Sequence, residues 1–523
     1  MSAPHGTGAG EADTAEKLLP SADVSRSELK EATFKSLRWA AVARLAAEVT
    51  AVASAVVLAH LVPPAQFGMV AVATITGALA LSLANEGVGS ALVRRRELER
   101  AHVESAAMLS IMVGAVLTGV TLFVVPLITT PLFGEETTTL FRLLSPMFLI
   151  AAVGIVPLAM LERRLDFQRI SIVEICSVQA SVVTSIVLAV AGLDAEAYVL
   201  GTIAGTVTWA TLLVFLGPSV LPKWHPTQMR EIARFGLPAG LAGIAQVGYG
   251  NIHFLVLGAT LSTTKVGFFS RAYSLGVQYQ DKIGAIITRL VYPVYSRAED
   301  MGHMRDLRAR VMRVNAAVVY PVLALFIAVA PLVVPWMFGE QWEPAVVPAQ
   351  ILTLAGMARM ISNGTPALVL AAGQPRALLV FNVYRLVALG LMVLAATPFG
   401  LNAVCAAVAA FEILTLVGSY RIMLSRLVGV SVRQLVGDLG PAVIASAIML
   451  VVAFPLTDVV SAAELPTPLT VLIVGALCAP VYLVALRMVS RAAWDDVLLI
   501  IRRVLIPRRW HKPTATQSVP AGG

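Results

Sequence analysis

Uninterrupted apolar runs of about 20 residues, roughly fourteen in number, restrict this chain to a helical protein embedded in a bilayer. A hydrocarbon core about 30 Å thick offers no partner for backbone N–H and C=O groups, so each crossing segment must satisfy its own, and a helix of that length does so. The runs fall near 38–61, 67–91, 104–130, 141–161, 170–192, 195–217, 236–260, 274–294, 314–337, 345–372, 376–397, 399–420, 437–460 and 468–486. They are continuous in hydrophobicity rather than alternating, which excludes a strand barrel. Composition agrees with this reading: 58% of the 523 residues are apolar and 13% charged, with a mean hydropathy of +0.81. Soluble domains carry about 25% charged residues. The polar stretches between runs are too short to fold as separate domains.

Lysine and arginine resist translocation and collect in cytoplasmic loops. With the amino terminus placed inside, most of the 39 basic residues fall on inner segments, among them Arg94, Arg95, Arg96, Arg163, Arg164, Arg297, Arg313, Arg487 and Lys512. Arg142, Lys265 and Arg271 are left for the outer loops. Both termini are therefore predicted cytoplasmic. The net charge of +8 is scattered over these loops and gathers on no single domain, so no nucleic acid partner is expected. Residues 1–35 are rich in Gly, Ala, Ser and charge and read as a disordered cytoplasmic tail. They hold no apolar core of a cleavable signal, so the first span is expected to direct insertion. Cys176, Cys405 and Cys478 lie inside apolar spans without metal-ligand spacing and read as small buried hydrophobes.

A repeat underlies the pattern. Residues 61–74 (LVPPAQFGMVAVAT) align without gaps onto 260–273 (TLSTTKVGFFSRAY), and PLFGEE from Pro131 returns as PWMFGEQ from Pro335. Six helices bring a chain back to its starting side, so two such copies are expected to be parallel lobes. The expected organisation is an N-lobe over 36–220, a C-lobe over 221–424, two extra helices over 425–490 and a basic cytoplasmic tail over 491–523.

Charged groups within spans are costly and are functional candidates by default. Gln278, Lys282 and Arg289 share one face of span 8 and form a cationic stripe suited to a pyrophosphate. Gln246, Tyr249 and His253 share a face of span 7 and present hydrogen-bonding groups to sugar hydroxyls, or to a neighbouring helix. Arg44 and Glu48, one turn apart on span 1, can pair with each other or line a cavity. Glu48, Glu174 and Asp281 are the candidates for coupling to an ion. Arg359, Arg385 and Glu412 read as partners that lock helices together.

No GxxxxGK[ST] phosphate loop, HExxH or GxSxG motif occurs, and the seven histidines are dispersed. The outer loops are too short to carry the catalytic groups of a glycan polymerase or ligase. An enzyme is not expected, nor a metal or other cofactor.

The stretch LERRLDFQRIS from Leu161, the run from RFGL at Arg234 through KVGFFSRAYSLG to IITRLVYPVYSRAED, and FGEQW at Phe338 followed by Ala355, Gly356 and Arg359 resemble the Wzx-type polysaccharide exporters. Those belong to the multidrug/oligosaccharidyl-lipid/polysaccharide (MOP) superfamily. The resemblance spans about residues 30–510 and implies an all-α polytopic fold of two six-helix bundles facing each other in a V around a central cavity, with two extra helices. It further implies passage of a polyprenyl-diphosphate-linked oligosaccharide between the leaflets of the bacterial plasma membrane, with spans 1, 2, 7 and 8 lining the path. A glycan polymerase or glycosyltransferases are expected partners, besides membrane lipids. A lipid II flippase and a cation-coupled drug antiporter of the same superfamily are the alternatives.

Overall fold

The structure is a computed structural model, and the residues it describes are 46–95, 98–280, 301–363, 365, 369, 375–427, 429–495 and 498. All regular structure among them is helical. In chain order the main helices are α1 (Ala46–Leu61), α2 (Pro64–Ala84), α3 (Arg100–Gly119, running on to Leu144), α4 (Pro146–Arg163), α5 (Phe167–Val190), α6 (Ala195–Leu216), α7 (Pro226–Thr260) and α8 (Thr263–Tyr273). After these come α9 (Met301–Phe338), α10 (Val346–Ser362), α11 (Pro375–Ala396), α12 (Leu401–Gly418), α13 (Val432–Ser461) and α14 (Thr467–Val489). Ten helical stretches among the described residues are long and apolar enough to cross a membrane; one of them, Arg100–Arg163, holds two of the apolar runs and is kinked at Gly134, whose φ of 83° is not helical. Residues 281–300, and most of the eighth run with them, lie outside the described residues.

Local chemistry sets the helix starts. Pro64, Pro146 and Pro226 each open a helix, where a fixed φ helps and a missing N–H costs nothing. The Asp166 carboxylate accepts from the Arg169 backbone N–H at 3.2 Å and caps α5. Ser431 and Gln434 form a reciprocal capping box at the start of α13. Single π-helical turns interrupt or extend four of the helices, at Asn85–Gly89, Val120–Val124, Ser274–Gln278 and Ser419–Leu424.

The chain divides into two compact units. The first comprises residues up to 274, 334–348 and 378–411. Its packing rests on α2, which lies against α7 and α8, and on the α5–α6 and α3–α4 pairs. Met69, Val70, Ala73, Leu140, Leu144, Met147 and Phe148 form one of its buried clusters, and Val88, Leu92, Val103, Ile155, Met160 and Ile232 belong to another. The second unit comprises 275–333, 349–377 and residues from 412 onward. There α13 and α14 pack on each other and, through Ala445, Met449, Val474 and Cys478, on the Ala317–Ala328 face of α9. The Tyr482 hydroxyl donates to the Ala317 carbonyl at 2.7 Å, which gives this apolar seam a fixed register.

Two readings of the sequence change. Cys176 is exposed on the apolar face of α5, while Cys405 and Cys478 are buried as expected. The eighth helical segment begins at Thr263 rather than near 274, because Val266, Gly267 and Phe269 beyond its polar first turn bury where it packs on α2.

Candidate functional site

The two stretches aligned as a repeat meet each other. A Cβ on Gly68 would overlap the carbonyl oxygen of Thr263, and a Cβ on Gly267 would overlap that of Pro64. Gly68 aligns with Gly267 and Pro64 with Thr263, so the contact is reciprocal, as across a local two-fold axis. Only glycine lets two backbones approach so closely.

Around this seam the second copy adds a buried cation. Arg271, 9% exposed, places its guanidinium 4.0 Å from the Phe67 ring centre and 5.7 Å from those of Phe338 and Trp342. Trp342 is fully buried and donates its indole N–H to the Ala59 carbonyl at 3.0 Å. Read from sequence as an outer-loop charge, Arg271 is in fact caged by aromatic faces, a geometry that attracts a cation through the ring quadrupoles.

At the other end of α7 the charged groups form a network. The buried Glu104 carboxylate accepts from Arg100 at 3.0 Å and lies 3.2 Å from both Lys223 Nζ and His225 Nε2. Glu231 pairs with Arg95 at 2.8 Å and with His102 at 3.4 Å. Beside it Gly87, in the π turn that follows α2, comes into backbone contact with Gly236 of α7.

Between these ends lies a polar cluster on α7 and α11. Asn382 Nδ2 donates to Gln246 Oε1 at 3.0 Å. Three residues on along each helix, Arg385 Nη2 donates to the Tyr249 hydroxyl, with its guanidinium 3.9 Å from the Tyr249 ring centre and 5.5 Å from that of Phe381. Gln246 is exposed and Tyr249 only 2% exposed. The chain thus brings together two of the three α7 residues singled out in the sequence and adds Asn382 and Arg385 to them.

His253 is placed differently. It is fully buried among Phe254, Phe269 and Tyr273, with ring centres 4.4–5.2 Å away, and offers no surface to a ligand in this conformation. Glu48 on α1 and Glu174 on α5 are half-buried and on separate helices, and Gln278 is exposed at the end of the π turn that follows α8. Arg44, Asp281, Lys282 and Arg289 lie outside the described residues.

In the second unit the charges are matched. Arg359 donates to the Glu412 carboxylate at 3.3 Å, with Glu412 1% exposed. Arg308, equally enclosed, bonds Asp438 at 2.9 Å and the Tyr420 hydroxyl at 2.7 Å. Among the described residues no group of three or more His, Cys, Asp or Glu is placed to hold a metal.

Residues 57–347, more than half of the chain's length, match the model of the family described as polysaccharide biosynthesis protein. The chain belongs to this family. Within it, the lipopolysaccharide biosynthesis protein WzxC of Escherichia coli (strain K12) is 24% identical over 413 residues, covering 78% of this chain and 84% of WzxC. The fold of this polysaccharide biosynthesis protein is shared with the lipid II flippase MurJ in its inward closed conformation, at a TM-score of 0.67 and 12% identity over 89% of this chain and 99% of that one. It is also shared with an inward-facing multidrug resistance MATE family transporter of the MOP superfamily, at a TM-score of 0.60 and 16% identity over 73% and 95% of the two chains. The fold is therefore that of a polytopic MOP-type membrane protein.

Proposed function

We propose that this protein is a flippase that carries a polyprenyl-diphosphate-linked oligosaccharide from the inner to the outer leaflet of the bacterial plasma membrane, supplying an exported or surface glycan. The observation that carries this reading is membership of the polysaccharide biosynthesis family over residues 57–347, in a chain built of apolar crossing helices.

In this reading the halves 36–220 and 221–424 open alternately to either side, both termini stay in the cytoplasm, and the polyprenyl tail remains in lipid while the charged head crosses. Gln246, Tyr249 and His253 on α7, Gln278, Lys282 and Arg289 on span 8, and Arg44 and Glu48 on span 1 serve the head group. Buried His253 would have to come into play in another state of the cycle. Glu48, Glu174 and Asp281 are the places for a coupling ion. A gradient is an adequate source of energy, since one charge crossing 100 mV is worth about 2.3 kcal/mol. A glycan polymerase and glycosyltransferases are the natural neighbours in such a process.

Deleting the gene tests this directly. Lipid-linked repeat units should accumulate on the cytoplasmic leaflet while the cells stay viable, and unaltered glycan export in a strain without a redundant exporter would reject the reading. The MurJ-like fold raises lipid II as the other substrate with the same polyprenyl diphosphate. Lethal loss of the gene, with arrest of wall synthesis, would favour it.

A further inference from the structure

We propose that a groove between α3, α4 and α6 binds an anionic glycerophospholipid, with one acyl chain in the groove and the phosphate against Lys223. The site is separate from the cargo proposed above and does not rest on that reading.

The walls come first. The groove holds about 300 Å³ between Ala107 and Ile111 on α3, Val153 and Pro157 on α4, and Val214 on α6, with residues 219–222 of the α6–α7 connection beside them. Its one side-chain hydroxyl, that of Ser219, donates to the Val214 carbonyl at 2.6 Å. The remaining lining side chains are hydrocarbon. A volume at the low end of the range for ligand sites, with apolar walls, admits one slender chain. The non-helical connection is fixed on both sides of the groove: Gly217 lies against Pro157, and the Lys223 backbone N–H donates to the Glu104 carbonyl at 3.3 Å.

Depth comes second. Ala107 and Ile111 follow the Arg100 start of α3 by two and three turns, roughly 10–17 Å along the axis, which is the acyl region of a single leaflet about 15 Å deep. The exposed positions next to the groove, Met112 and Val116 on α3 and Leu149 and Val153 on α4, are all apolar, as a surface against lipid tails is. On the connection Leu221 is 79% and Trp224 59% exposed, and an exposed indole at the end of two crossing helices suits the headgroup level.

Charge comes third and selects the headgroup. The single carboxylate of Glu104 gathers two permanent cations, Arg100 and Lys223, together with His225, so this group of four carries a positive surplus. The Lys223 side chain is 55% exposed and follows directly on Pro222 of the groove. A phosphodiester held there has its own chain within reach of the apolar walls, and a basic group near the membrane surface favours a lipid with net negative charge.

The experiment titrates the delipidated full-length protein in detergent with dioleoyl phosphatidylglycerol or dioleoyl phosphatidylcholine and counts bound lipids by native mass spectrometry. The wild type should bind one phosphatidylglycerol about fivefold more tightly than phosphatidylcholine, and K223Q should remove that preference. V153W, which fills the mouth of the groove from the lipid-facing side, should weaken both lipids by at least about tenfold. Equal affinity of the wild type for the two lipids would overturn the site, as would a monodisperse V153W that binds phosphatidylglycerol like the wild type. Should V153W not fold, K223Q with an undiminished preference would overturn it equally. Undecaprenyl phosphate displacing phosphatidylglycerol at a lower concentration would give the groove to a polyprenyl tail and overturn the assignment to a phospholipid.

Discussion

The first copy of the repeat (61–74 with its turn at Phe133 and Gly134) and the second (260–273 with its turn at Phe338 and Gly339) follow one backbone plan with different fillings. The backbone plan is kept in detail. Gly68 and Gly267 each admit the opposite helix, and Gly134 (φ 83°, ψ 168°) and Gly339 (φ 97°, ψ 159°) adopt the same conformation, one closed to other residues without strain. The fillings diverge. Phe133 of the first copy lies against Gly258, just ahead of the second, a contact between apolar side chain and glycine. The second copy returns Trp342 and Gln341, both hydrogen-bonded to the Ala59 carbonyl. Where the first copy has Val72 the second has caged Arg271. The two copies therefore share the places where they touch, while polar and aromatic anchoring is concentrated on one side of the contact.

The largest test of this comparison is at the glycines. Gly68→Val and Gly267→Val each drive a side chain into a backbone oxygen, and both should cost more than about 4 kcal/mol, seen as loss of monodisperse protein in detergent chromatography. Gly119→Ala, with open space around it, should be well tolerated in the same assay. Severe loss in one seam variant alone would break the reciprocity. Next comes the asymmetry of the fillings: Trp342→Ala should lower stability by about 3–5 kcal/mol in a denaturation titration. Phe133→Ala, at a half-buried ring, should cost clearly less, and equal costs would contradict the unequal anchoring. Gly134→Ala and Gly339→Ala should then lose similar amounts, roughly 1–3 kcal/mol each, because the penalty is in the backbone rather than the surroundings. Arg271→Lys is the mildest, about 1 kcal/mol, since an ammonium keeps the charge among the rings but loses the planar stack. A neutral effect there would mean that the aromatic cage holds no specific cation.

Much of the fold could be read from the chain because its causes are local. Runs of apolar residues set the crossing helices, and the gapless alignment of 61–74 with 260–273 identified segments that turn out to touch. The start of α8 was hidden for the opposite reason. Thr263, Thr264, Lys265, Ser270 and Arg271 read as a loop by polarity, yet they are helical, and all but the exposed Lys265 are at least partly buried where this helix packs on α2. The same limit applies to the cluster on α7 and α11. Periodicity placed Gln246 and Tyr249 on one face, but their partners stand 136 residues away, and no spacing rule links Tyr249 to Arg385. His253 shares that periodicity and is enclosed by aromatic rings, because a helical face can pass from a wet surface into a core within two turns. Span 8, where Lys282 and Arg289 lie, falls outside the described residues.

The central claim is movement of a diphosphate-linked glycan lipid between leaflets, and reconstitution measures it most directly. Proteoliposomes holding the full-length protein and a fluorescent polyprenyl-diphosphate oligosaccharide are treated with a membrane-impermeant quencher while an ion gradient is applied. Protein-dependent transfer, seen as quenching beyond the fraction initially in the outer leaflet, is the expected result. Quenching no greater than in protein-free liposomes, in a preparation that exchanges small drug cations instead, would contradict the account.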